Sequence, residues 1–154
     1  MISEDPPQQE FRFDPSDLDE RSYYLGMIYA FAEVVASGCK KLALSPALTP
    51  EQLEYIWEDS VLIVREYDIL LEIDEDFLTT RLFNPEYTDG KIVIHIAAER
   101  RTLDEYKRLK KLKERRLSEG KLDEEAELEL AWGLGKLLSY SDAAIKALLE
   151  KPRF

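Results

Sequence analysis

From Tyr24 to Val35 the apolar positions Tyr24, Leu25, Ile28, Phe31, Ala32 and Val35 recur at steps of three and four, which predicts one broad buried helical face. Ser16 or Asp17 after Pro15 is the expected cap, and Asp19 and Glu20 place acids in the first turn. The helix is expected to end near Ser37, with Gly38 in the left-handed position that follows a last turn. Just upstream, Phe11 and Phe13 alternate with Arg12, the pattern of a short extended piece that lays two rings on the body.

The next stretch reads strand, helix, strand. Lys40–Ser45 is a short apolar run bounded by Gly38 and Pro46. Thr49-Pro50-Glu51-Gln52 is a helix start with a capping box and proline in the first turn, and Leu53, Ile56, Trp57, Val61 and Val64 supply a buried stripe to about Glu66. Ile69–Ile73 is the second strand. Two short strands joined by such a helix predict a parallel crossover. Residues 74–90 are ambiguous: Phe77 to Phe83 fits helix or strand, Asn84-Pro85 ends it, and Thr88-Asp89-Gly90 is a turn. Lys91–Ala97, apolar on both faces apart from His95, reads as a central strand covered on both sides.

From Thr102 onward the pattern is helical: a capping box at Thr102 and Glu105 with a stop at Gly120, a second helix over about 123–139, and a third capped by Ser141 that reaches about Glu150. Together these elements predict an α/β fold with a small, mainly parallel three- to four-stranded sheet flanked by helices and a helix-rich C-terminal third. Residues 1–10 are expected to form an acidic, proline-containing tail and residues 11–154 a single domain, with its α/β core over about 17–98 and its helical part over about 102–150.

Charge narrows the partners. A net charge of -11 argues against general affinity for nucleic acid or anionic membrane, both polyanions. A lone cysteine, Cys39, allows no internal disulfide and suits a reducing cytoplasm, and no apolar run approaches the ~18 residues of a membrane span. Residues 100–121 hold ten lysines and arginines against four acids, so this stretch carries +6 and the remainder -17. It reads as a solvated amphipathic helix whose charges answer the acidic 123–129 segment or a second subunit.

Candidate chemistry is sparse. His95, the sole histidine, shares a strand face with Val93 and Ala97, and Glu72 is the expected partner if the second and third strands are neighbours. If all three strands run parallel, Ser45, Asp74, Asp76, Ala98 and Glu99 converge at their carboxyl ends, where open α/β sheets place ligands. The leading expectation is a non-catalytic protein binding a small molecule at that rim through Ser45, Asp74, Asp76, His95 and Glu99, with no metal or other cofactor. A second is an assembly subunit that uses the charge-segregated C-terminal helices, and a homodimer would cover the edges of so narrow a sheet. A third comes from Asp74-Glu75-Asp76 after an apolar strand, which over about ten residues resembles the Asp-x-Asp of haloacid dehalogenase-like phosphatases. There the resemblance implies magnesium-dependent phosphoryl hydrolysis by Asp74 and Asp76. Leu78 and Thr79 depart from that family's pattern, and no later acidic pair suits the metal. Gly133 and Gly135, inside a predicted helix, are read as permitting close helix packing or as weakening that helix, not as a binding loop.

Overall fold

A computed structural model of the chain describes residues 13–152. Its best-specified element is α2 (Pro50–Glu66), where the predicted capping box is complete: Thr49 Oγ1 accepts from Gln52 N, and the Gln52 side chain accepts from Thr49 N. Two orphan amides of the first turn are thereby satisfied. Helix α1 (Glu20–Ala36) starts later than the Ser16/Asp17 expectation, because Pro15–Asp17 closes instead as a 3-10 turn capped by Asp14. Phe13 lies against the Tyr23 ring yet is 71% exposed, while Phe11 and Arg12 fall outside the described residues.

The sheet corrects the sequence reading. Strands β1 (Leu42–Leu44), β2 (Leu70–Asp74) and β3 (Val93–Ala97) are ordered β1-β3-β2, and both outer strands pair antiparallel to the middle one. The sheet is therefore antiparallel and three-stranded, not mainly parallel. β1 and β2 do run in the same direction across α2, as the crossover pattern implies. What periodicity could not reveal is that β3 inserts between them, so the two strands joined by the crossover share no hydrogen bonds. β3 is apolar on both faces because it is the central strand, and it would look the same in either direction.

Alternation along the strands divides the core in two. Ala43, Ile94 and Ile96 pack with Ile28 and Val35 of α1 and Ile56 and Val64 of α2. Leu42, Val93 and Ala97 face the opposite way, onto Leu103 and Tyr106 of α3 (Arg100–Ser118), Ala131 and Leu134 of α4 (Glu124–Leu137), and Ile145 and Leu148 of α5 (Asp142–Glu150). The result is three layers: α1 and α2, the sheet, then α3 to α5.

Two local expectations fail for identifiable reasons. α3 begins at Arg100, not Thr102, and no side chain caps it. Thr102 is buried inside the first turn, so the Thr102/Glu105 box does not form. Residues 77–84 form neither helix nor strand. Their backbone is held from α3: Tyr106 OH accepts from Leu78 N at 2.8 Å, and Lys113 Nζ donates to Thr79 O at 2.7 Å. Leu78 and Leu82 are buried, so the segment packs as a loop with fixed side chains.

Gly133 and Gly135 occupy the close approaches the sequence suggested. A Cβ on Gly135 would stand 2.7 Å from Ile145 Cγ1, and one on Gly133 2.8 Å from Leu109 Cδ2. Lys40 ties β1 to the end of α4, donating to Leu138 O at 2.6 Å, a cation set against a helix C-terminus.

Candidate functional site

β2, β3 and α3 bring four polar side chains to one buried point. Asp74 ends β2 on the face that also carries His95, because strand residues two apart share a face. His95 stands directly opposite Glu72 and diagonally from Asp74. The diagonal contact is the one formed, with His95 Nε2 2.9 Å from Asp74 Oδ2. Glu72 turns outward to Arg100 at 3.0 Å and Lys107 at 2.9 Å. The strands are the neighbours that a Glu72 partner required, yet that partner is replaced by the acid two residues on.

Helix α3 completes the cluster from above. Tyr106 OH donates to Asp74 Oδ2 at 2.5 Å, and one turn later Lys110 Nζ reaches Oδ1 at 3.1 Å. Asp76 N donates to the same Oδ1 at 3.0 Å, an Asx turn that fixes the start of the loop. Each carboxylate oxygen therefore accepts two hydrogen bonds. Burial would raise the pKa of Asp74, but the bonds from His95, Tyr106 and Lys110 outweigh it and hold the carboxyl far below the usual range. The same pairing, together with burial, pushes the Tyr106 hydroxyl well above its ordinary value.

An ionised Asp74 only accepts, so His95 Nε2 carries a proton. His95 Nδ1 is then fully buried with no partner among the described residues. The ring is 2% exposed, with the Tyr106 ring at 4.3 Å and the Phe77 ring at 6.1 Å. Around the Asp74 carboxylate the cluster is a charge-compensating lock, with His95 Nδ1 its one unsatisfied atom. A nucleophilic or metal-binding Asp74 would have to release donors it already holds, which counts against the phosphatase-like reading of Asp74 and Asp76. No group of three or more candidate metal ligands occurs among the described residues.

The other predicted site residues do not converge. Ser45 Oγ donates to Pro46 O and accepts from Ile94 N, so its hydroxyl is consumed in continuing the β1–β3 ladder. Asp76 is exposed on a hollow of about 200 Å³ that Glu75, Glu86 and Asp89 also line. Ala98 and Glu99 follow the end of β3, which runs antiparallel, so they lie at the opposite end of the sheet, where Glu99 pairs with Arg101 at 2.9 Å. The strand rim is no common site, since only parallel strands would have brought all five together.

The larger opening lies beyond the loop. A cleft of about 570 Å³ runs between residues 79–85 and helices α3, α4 and α5, with Phe83, Leu130 and Leu149 among its apolar walls. Among the described residues two cations line it. Arg81 is paired with Glu124 at 3.3 Å and more closely with Glu127. Lys113 meets only the Thr79 carbonyl and has no carboxylate partner among the described residues.

Tyr106, Lys110 and Lys113 escaped the sequence reading. Tyr106 reads as one more apolar residue of an inner stripe, and the lysines as solvated charge. The available signal was their spacing, because Lys110 and Lys113 fall on the stripe of Leu103 and Tyr106 and cannot all point to water.

The chain matches no family model, no curated protein sequence and no solved structure. What the fold itself defines is a three-layer α/β/α protein with an antiparallel sheet. No helix among the described residues is long and apolar enough to cross a membrane.

Proposed function

We propose that the chain is a non-catalytic small-ligand-binding protein whose ligand seat is the cleft between residues 79–85 and the C-terminal helices. The observation that carries this reading is the cleft's combination of apolar walls with a cation, Lys113, that has no carboxylate partner among the described residues. Its volume of about 570 Å³ is of the size small-molecule sites take, roughly 300–1,000 Å³. The ligand class that fits is a small amphipathic anion: its charged end against Lys113, where Arg81 is already neutralised, and its apolar body against Phe83 and Leu149. The Asp74 cluster supports binding over catalysis, since it anchors one wall of the cleft through Tyr106 and Leu78, its carboxylate is saturated, and its one unpartnered nitrogen, His95 Nδ1, is buried outside the cleft lining. A cytoplasmic setting accords with the single cysteine.

Titration with octanoate, followed by backbone amide shifts, tests the reading. Saturable shifts confined to residues 79–85, 113 and 149 are expected, weakened about tenfold in Lys113→Met, the loss of one charge-assisted contact of ~1.4 kcal/mol. Shifts that fail to saturate, or that centre elsewhere, would refute it.

A further inference from the structure

Helix α3 carries its cations in two rows. On the inner row Arg100, Lys107 and Lys110 answer Glu72 and Asp74, and Lys113 answers the Thr79 carbonyl. On the outer row Arg108, Lys111 and Arg115 are exposed, and none of their side chains has a hydrogen-bond or ion-pair partner among the described residues. Their spacing of three and four places them on one helical face. Like charges so placed repel one another, which Asp104 and Glu119, exposed and one turn to either side of the row at i,i+4 spacing, offset at its ends.

Across the sheet, α2 presents the matching row of opposite sign. Glu51, Glu54 and Glu58 have the same spacing of three and four, are exposed, and their side chains likewise lack a hydrogen-bond or ion-pair partner among the described residues. Glu51 gains from the helix N-terminus, but Glu54 and Glu58 lie beyond its reach. α2 packs on one face of the sheet and α3 on the other, so the two rows point out of opposite layers of the molecule.

We infer that the occupant of the basic row is a second copy of this chain, bound through its α2 acidic row. Charge complementarity in register favours this occupant: three cations and three anions stand at identical spacing, with no ion pair to either row among the described residues. A long polyanion is the poorer fit, because three cations stand against a molecule of net charge -11. The rows differ and lie on opposite faces, so the contact is head-to-tail. It leaves one row open at each end, and it propagates unless the rotation closes a ring. Exposed ion pairs contribute little singly and are screened by salt, so the association is weak, reversible and ionic-strength dependent.

Sedimentation of three charge-reversed chains against wild type tests this. One carries Arg108→Glu, Lys111→Glu and Arg115→Glu; the second carries Glu51→Lys, Glu54→Lys and Glu58→Lys; the third carries all six. At ~0.1 M salt the wild-type mass should climb above 17.9 kDa as concentration approaches ~1 mM, and the association constant should fall about tenfold at ~0.5 M salt. Each triple variant alone should stay monomeric, the two mixed should associate, and the six-fold variant, whose net charge equals wild type, should regain self-association. All six positions are exposed, so circular dichroism should match wild type in every chain, with melting lowered slightly where Glu51→Lys gives up its place at the helix N-terminus. A wild type that remains at 17.9 kDa throughout overturns the inference, whether or not heparin binds α3. So does an association that the α3 reversal abolishes and the α2 reversal leaves intact, since the acidic surface would then be another.

Discussion

Asp74 is where the chain spends its strongest polar interactions. A buried carboxylate is costly unless its charge is paired and its lone pairs are filled, and here two side chains from α3 and one from β3 do both. Removing a partner should cost more than the bond is worth, because the remaining groups stay buried and unmatched. Asp74→Asn is expected to lose about 3–5 kcal/mol in urea unfolding. Tyr106→Phe, which strands Leu78 N as well, should lose about 1–3 kcal/mol. The pH dependence follows from the two shifts. The folded pKa of Asp74 lies below the unfolded value of about 3.9, so its contribution is full above that pH and fades as pH falls below it. The folded pKa of Tyr106 lies above the unfolded value of about 10, so its contribution is full below that pH and fades as pH rises past it. Asp74→Asn should flatten the acid limb of the stability profile, and Tyr106→Phe should flatten the alkaline limb. Unchanged limbs would mean the cluster is not the coupled unit described.

At the scale of elements, three helical glycines separate packing from propensity. Gly26 lies in α1 with nothing near its absent Cβ, so Gly26→Ala should stabilise by about 0.5–1 kcal/mol through reduced freedom of the unfolded chain. Gly135→Ala gains the same propensity but drives a methyl against Ile145 Cγ1, near the root of a branched side chain in a full core, and should lose about 1–3 kcal/mol. Gly133→Ala meets only the tip of Leu109, which can swing aside, and should fall between the two. Thermal melts of the three alanine variants test that order. The packing role of Gly133 and Gly135 was legible because glycines inside a helical pattern need a reason. Their contacts were not, since nothing in the local sequence points to Ile145, ten residues on in another helix, or to Leu109 of α3.

For the whole molecule, the antiparallel insertion of β3 between β1 and β2 has a measurable consequence. β3 is hydrogen-bonded along both edges and buried on both faces, whereas β1 is an edge of only three residues. Amides of β3 should exchange with solvent last, at the global unfolding limit, and those facing outward on β1 and β2 earlier by an order of magnitude or more. Equal protection across the three strands would contradict the β1-β3-β2 order.

Amphipathic periodicity and capping chemistry located, from sequence alone, the five helices and three strands, while leaving a fourth strand and the state of residues 74–90 open. The Thr49–Gln52 box and the caps at Asp123 and Ser141 are local devices that act within a turn. Only the tertiary structure decided strand order and direction, because an apolar strand flanked by helices has the same pattern whichever way it runs. That one decision set the fate of the candidate residues. With β3 reversed, Glu99 lies at the far end of the sheet, Ser45 is taken up by the ladder, and Asp74 meets His95 on a diagonal. The helix that closes over them contributes Tyr106 and Lys110, residues that become legible as a site only once α3 is laid across β2 and β3.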